Sequence, residues 1–104
     1  MVNQFQTLSA AIDDLRNRGY IYSFKIDNDG ALCIETMEFV EPEDMTLVEY
    51  HRFEGQSSED DMAVVYAVES TKGLKGIIID AYGTYANPNV TAFLKKVKMK
   101  EGLS

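Results

Sequence analysis

The chain has one cysteine, one histidine and two prolines among its 104 residues, and no apolar run approaches the ~18 residues that a membrane-spanning helix requires. Cys33 has no second cysteine to pair with, so a reducing, cytoplasmic compartment is the expected location. The lone histidine and the scattered carboxylates lack the ligand spacing of a metal site, and no glycine-rich nucleotide loop is present. We therefore expect no membrane, no metal and no cofactor.

Acidic residues outnumber basic residues by 17 to 10, which gives a net charge of −7, and the charge is unevenly distributed. Twelve acids lie between Asp27 and Asp61, where Arg52 is the one basic residue, whereas the C-terminal segment is rich in lysine. An acidic middle repels phosphate backbones, so nucleic-acid binding is disfavoured. The same charge suits a basic protein partner, or the lysine-rich helix of a second copy.

Periodic apolar residues predict a helix near each end of the chain and five strands between the helices. In the first helix, apolar residues recur every three or four positions, Gly19 is the stop signal, and Thr7 or Asn3 is the expected cap. Asn87 and Pro88 supply the cap and first turn of the second helix. The expected strands are 20–27, 32–36, 45–53, 62–69 and 76–82.

Short connections predict that successive strands are antiparallel neighbours. The expected fold is a single α+β domain over residues 1–104, with a five-stranded, mainly antiparallel meander sheet and the N- and C-terminal helices packed on one face. The first turn is predicted as a three-residue loop, 28–30, because this register sets Ile26 against Leu32 and keeps apolar residues on one side. Gly30 is then expected in a left-handed conformation.

Asp80 interrupts the most apolar strand of the sequence, and it is the best pointer to a site. An isolated buried carboxylate is costly, so Asp80 must be paired, neutralised or placed where the strand reaches water. One interpretation makes it a tether for the turn at 82–84. Another makes it the partner of His51, which is itself either a structural histidine or a general base acting with Asp80 or Glu49.

A register that pairs Glu54 with Met62 and Glu69 with Gly76 places His51 and Asp80 in one row, ~10 Å apart at the backbone. The central strand carries only small side chains on that face, which predicts a shallow trough with polar and aromatic groups around it. The candidate ligand or partner site comprises Glu49, His51, Arg52, Phe53, Asp80 and Tyr82.

Several short motifs resemble those of a family of small bacterial proteins of about this length. They are found at residues 50–55, 73–76 and 80–83, with further matches at 11–15 and 18–20, so that most of the chain is covered. Members of that family often carry the label phosphoribosylpyrophosphate synthetase. The resemblance implies a bacterial protein and suggests phosphoribosylpyrophosphate synthetase activity as a hypothesis.

The residues argue against that activity. A phosphoribosyl-binding motif needs two adjacent acids after an apolar strand, followed by a loop of small residues at a helix start. Here Asp80 is the one acid, Tyr82 occupies the loop, and the helix begins several residues later at Pro88. The expected antiparallel sheet also differs from the parallel α/β domains of that enzyme.

Two functional hypotheses follow. The leading hypothesis is a small cytoplasmic interaction or regulatory module without catalysis of its own, which binds a protein partner or a second copy through the trough. The alternative is a small anionic-ligand-binding or enzymatic domain that uses His51, Arg52 and Asp80, with Arg52 anchoring a phosphate or carboxylate unless it pairs with Glu54 or Asp61. Because no nucleophile lies beside His51 in the sequence, the balance is against catalysis.

Overall fold

The computed structural model describes residues 7–27, 30–53, 63–81 and 87–100. These segments form two α-helices, one 3₁₀ turn and seven strands. In chain order they are α1 (Leu8–Asn17), β1 (Tyr22–Asp27), β2 (Gly30–Cys33), β3 (Phe39–Val40), the 3₁₀ turn (Pro42–Asp44), β4 (Met45–Phe53), β5 (Ala63–Ser70), β6 (Lys75–Ala81), α2 (Pro88–Lys96) and β7 (Lys98–Met99).

The predicted α+β class is confirmed, but the five-stranded antiparallel meander is wrong. The described strands form one seven-stranded mixed sheet in the order β3-β2-β1-β6-β5-β4-β7. Two antiparallel blocks, β1-β2-β3 and β4-β5-β6, are joined by parallel pairing of β1 with β6, and β7 pairs parallel to β4. The meander prediction assumed that every strand follows its neighbour in sequence, whereas the chain leaves β3 at one side of the sheet and starts β4 near the other.

The connection from β3 to β4 explains why the sheet curls into a half-barrel. Val40 ends β3 and Met45 starts β4, so five residue steps, which span at most about 18 Å when fully extended, must join them. In a flat sheet these strands would lie five positions apart, about 24 Å. A 3₁₀ turn shortens the connection further. Only a curled sheet brings the two strands within reach.

The two helices lie on opposite faces of the curled sheet, so the prediction that both cover one face is also wrong. We call the face that carries α2 the inner face and the face that carries α1 the outer face. On the inner face, α2 packs against strands from both blocks, including Val40, Met45 and Ile78. On the outer face, α1 buries Ala11 and Leu15 against β5 and β6 at Val65, Ala67 and Ile77.

Both helix starts form as their sequences predict. Thr7 is the cap of α1, where its Oγ1 accepts a hydrogen bond of 3.1 Å from Ala10 N. Asn87 caps α2, its side chain accepts from Asn89 N at 2.9 Å, and Pro88 occupies the first turn.

The predicted register of the first hairpin is wrong. Ile26 pairs with Ala31 and Phe24 with Cys33, so the small side chains of β2 face the inner core. Gly30 has no left-handed conformation; it lies close to the Phe39 ring, 2.2 Å from where a Cβ atom would stand. The 28–29 turn itself lies outside the described residues.

Candidate functional site

The structure separates the two residues on which the predicted site depends. The β4–β5 register is as predicted from Glu49 to Phe53, with His51 opposite Val65, but a bulge between Leu47 and Glu49 shifts it by one residue over the first part of β4. In the β5–β6 hairpin, however, Glu69 pairs with Lys75 and not with Gly76. This shift of one residue puts Ile79 beside Val65 and moves Asp80 to the other face. His51 therefore lies on the outer face and Asp80 on the inner face, and the predicted row is wrong.

The predicted trough is not open, because α1 fills it. Val65 and Ala67 have no exposed surface and pack with Ala11 and Leu15 of the helix. Phe53 packs partly buried against the same cluster. Tyr82, the remaining predicted member of the site, lies outside the described residues.

Glu49 and His51 do lie together, and they are joined by an arginine that the sequence analysis missed. His51 Nε2 is 2.7 Å from Glu49 Oε2, and the His51 side chain is only 4% exposed. Arg18, at the end of α1, donates two hydrogen bonds to the Glu49 carboxylate at 2.7 and 2.8 Å and a third to Asp14 at 2.8 Å. The bidentate pair ties the C-terminus of α1 to β4.

This pairing governs the charge of the cluster. The hydrogen bonds from Arg18 are the main cause that lowers the pKa of Glu49 to about 2, against partial burial, and His51 adds to the lowering. The same contact raises the pKa of Arg18, which is held as a cation. Glu49 is therefore an ionised, internally paired carboxylate next to a buried imidazole, and this pairing holds α1 on the sheet.

Asp80 acts as a tether. Its two carboxylate oxygens accept from Asn87 N at 3.2 and 3.3 Å, which links the end of β6 to the cap of α2. It also faces Tyr66, whose pKa is raised chiefly by burial and secondarily by the negative charge of Asp80. Asp80 therefore anchors the start of α2, whereas the turn at 82–84, for which the sequence suggested a tether, lies outside the described residues.

One half of the outer face is left uncovered by α1. The apolar side chains here are large and half exposed, with Ile34 at 52%, Ile79 at 49% and Phe39 at 49%. Strand pairing places Phe39 opposite Leu32 and Leu32 opposite Lys25, and Ile79 lies opposite Val65 on the same outer face. Ile34 shares a depression with Lys25 and Ile79. We call this surface the bare outer face; it comprises Lys25, Leu32, Ile34, Phe39 and Ile79.

A second surface feature lies on the inner face, beside α2. It is a cleft of about 520 Å³ between the helix, β7 and the inner side of β4 and β5. Tyr50 and Tyr66 form part of its wall with ring centroids 6.3 Å apart, and Arg52 lies 5.9 Å from the Tyr50 ring centroid. We call it the α2 cleft; it is lined by Leu47, Tyr50, Arg52, Val64, Tyr66, Thr91, Leu94, Lys95, Val97 and Met99.

Comparison with protein-family models, with curated proteins and with solved structures finds no match for this chain. The resemblance to small bacterial proteins therefore stays a prediction. Among the described residues, no three His, Cys, Asp or Glu side chains are grouped so that they could hold a metal ion. In the same segments, neither helix has the length and apolar character needed to cross a bilayer.

Proposed function

We propose that this protein is a small interaction module without catalysis of its own, and that its bare outer face binds a second copy of the chain. The observation that carries the proposal is the set of half-exposed apolar side chains on the part of the sheet that α1 leaves uncovered. The leading interpretation of the sequence required an apolar sheet face of this kind, although at a different place. The burial of His51 supports the non-catalytic part of the proposal.

Three side chains of the bare outer face, those of Lys25, Ile34 and Ile79, line one depression together with Ile12 of α1, and this depression continues between β1 and β6 to residues of the inner face. Phe39 and Leu32 extend the surface by strand pairing with Lys25. Contiguous exposed apolar surface on a small protein typically marks an interaction site, whereas isolated exposed side chains are ordinary. Ile21 is an isolated case: it is 55% exposed and lies outside that depression.

The charges on this surface favour a second copy as the partner. Lys25 and Asp27 are two residues apart on β1 and therefore project from the same face of the sheet. A two-fold interface brings the same patch together with itself, so a self-complementary patch must carry both signs. When two patches meet about such an axis, Lys25 of each copy can face Asp27 of the other.

The area of the bare outer face determines how tightly we expect two copies to bind. Its half-exposed side chains offer roughly half of the ~800 Å² per partner that a standard interface buries. We therefore expect a weak dimer, with a dissociation constant in the micromolar range or above. Sedimentation velocity over a concentration series from low micromolar to millimolar should show a reversible monomer–dimer equilibrium.

Ile34→Lys tests the apolar part of the proposal, because it places a charge at the centre of the expected interface. We expect this variant to stay monomeric at every concentration. Ile21→Lys is the matched control, since it makes the same change at a similarly exposed isoleucine, and it should dimerise like the parent chain. A parent chain that remains monomeric at millimolar concentration, or equal dimerisation of both variants, would refute the proposal.

Charge reversal tests the two-fold arrangement. Lys25→Asp alone and Asp27→Lys alone each place like charges opposite one another, so at 0.15 M salt, where the net charge is screened, both should weaken the dimer several-fold. The double exchange, which combines Lys25→Asp with Asp27→Lys, restores opposite charges and should restore dimerisation. If the double exchange is no better than the single variants, Lys25 and Asp27 do not face each other across the axis.

A further inference from the structure

We infer that the α2 cleft binds a small molecule with a planar aromatic body and a single carboxylate group. The inference goes beyond the proposed self-association, since the cleft lies on the inner face and the proposed dimer uses the outer face. It rests on the volume of the cleft, on its walls and on the placement of its charges.

The cleft has the dimensions of a ligand site. At about 520 Å³ it falls inside the range of roughly 300–1,000 Å³ that small-molecule pockets occupy. Its inner wall is aliphatic, with Leu47 and Val97 buried in the core and Leu94 packed against them. A body without polar groups can therefore enter without leaving buried donors or acceptors unpaired.

The two tyrosines favour a planar body. Tyr50 and Tyr66 are neighbours across β4 and β5, and their rings are tilted by 38° to one another. A flat aromatic ligand can lie against one ring face and meet the edge of the other, the arrangements that aromatic pairs prefer. The pKa of Tyr66 is raised, so its phenol stays protonated and can donate a hydrogen bond.

Two cationic side chains in the cleft lining favour an anionic ligand. Arg52 enters from β4 and Lys95 from α2, so positive charge lines the cleft from the sheet side and from the helix side in a protein whose net charge is −7. The Arg52 guanidinium already makes other contacts, one of them with the Tyr50 ring, but its five N–H donors lie in a planar fork that can bind a carboxylate beside them. Asp80 lies across Val64 from Arg52, about two strand spacings away, and repels the anionic group from that direction. The carboxylate is therefore directed towards Arg52 and Lys95.

A matched pair of probes tests this inference. Indole-3-acetate and indole-3-acetamide share the ring and differ in the charge of the terminal group. Isothermal titration calorimetry should show that the carboxylate binds about tenfold more tightly than the amide, as expected for charge-assisted hydrogen bonds. Backbone amide shifts in an NMR titration should change along α2, β4 and β5. Equal affinity for the two probes would overturn the assignment of an anionic ligand.

Substitutions in the cleft lining test whether the two probes bind in the α2 cleft. Arg52→Gln and Lys95→Gln should each reduce the preference for the carboxylate by several-fold, while Lys96→Gln, next along the helix and outside the cleft lining, should leave it unchanged. Thr91→Trp fills the cleft from an exposed helix position and should abolish binding of both probes. Retained affinity in Thr91→Trp would overturn the site. Ile34→Lys should leave the affinity unaltered, which separates this inference from the proposed self-association.

Discussion

At the scale of the residue, the most constrained charge in the described structure is Glu49. Arg18 and His51 both contact its carboxylate, and its pKa is lowered from 4.5 to about 2. A group whose pKa is lower in the folded state than in the unfolded chain adds stability above its unfolded pKa. That stability is lost as the pH falls through the folded pKa. The ion pair should therefore stabilise the fold above pH 4.5 and cease to do so near pH 2.

Glu49→Gln measures this contribution. We expect the free energy of unfolding to fall by about 1–2 kcal/mol above pH 4.5, which is less than the full pKa change would give because the pair is partly solvated. The difference from the parent chain should shrink as the pH approaches 2. Urea titrations at several pH values test it, with the exposed Glu43→Gln as control. A difference that is constant with pH would show that packing, and not charge, explains the loss.

At the scale of the element, the join between the two blocks of the sheet is short. β1 and β6 pair only through Tyr22 with Gly76 and Ser23 with Ile77. Gly76 permits this approach, since a Cβ atom there would lie 2.4 Å from the Tyr22 carbonyl oxygen. Because backbone cannot move aside as a side chain can, Gly76→Ala should push the two strands apart.

Gly76→Ala should lower the free energy of unfolding by about 2–3 kcal/mol, the cost of overpacking a rigid contact. Gly30→Ala is the informative comparison, because its closest obstacle is the tip of the Phe39 ring, which is half exposed and can rotate away. That variant should cost less than about 1 kcal/mol. Chemical denaturation of both variants measures the two losses in the free energy of unfolding. Similar losses would mean that the join between β1 and β6 is not tightly constrained.

Some of the helices, strands and registers could be predicted from the sequence, and others could not. Both helices, their caps and the β4–β5 register from Glu49 to Phe53 follow from apolar periodicity and capping residues. The β5–β6 register does not, because Ile77, Ile78 and Ile79 are apolar on both faces of the sheet, and alternation then cannot select between adjacent registers. Strands as short as β3 and β7, two residues each, leave no periodic signal at all.

The candidate sites were harder to predict than the elements, because they depend on contacts between distant segments. Glu49 and His51 are two residues apart on one strand and were found together. Arg18 is 31 residues from Glu49 and was missed. The α2 cleft exists because α2 packs on the inner face as the chain passes from β6 to β7, which joins the far edge of β4. No local pattern encodes such a joining.

At the scale of the whole molecule, the net charge of −7 opposes the self-association that the bare outer face favours. The Cα radius of gyration is 13.1 Å, so two touching copies place their centres at a distance comparable with the ~30 Å Debye length of 0.01 M salt. Repulsion between the two net charges then amounts to about 2 kcal/mol, and it falls to nearly zero at 0.15 M salt, where the Debye length is ~8 Å.

Salt should therefore strengthen the proposed dimer. The two symmetry-related pairs of Lys25 with Asp27 are also screened, but exposed pairs contribute at most about 1 kcal/mol each, and usually much less, so repulsion is the larger effect. We expect the dimerisation constant to rise roughly tenfold between 0.01 and 0.15 M salt. Sedimentation velocity at both salt concentrations measures it. The double exchange of Lys25 and Asp27 keeps the net charge and should show the same dependence. A dimer that weakens with salt would mean that ion pairs, and not the apolar face, hold the two copies together.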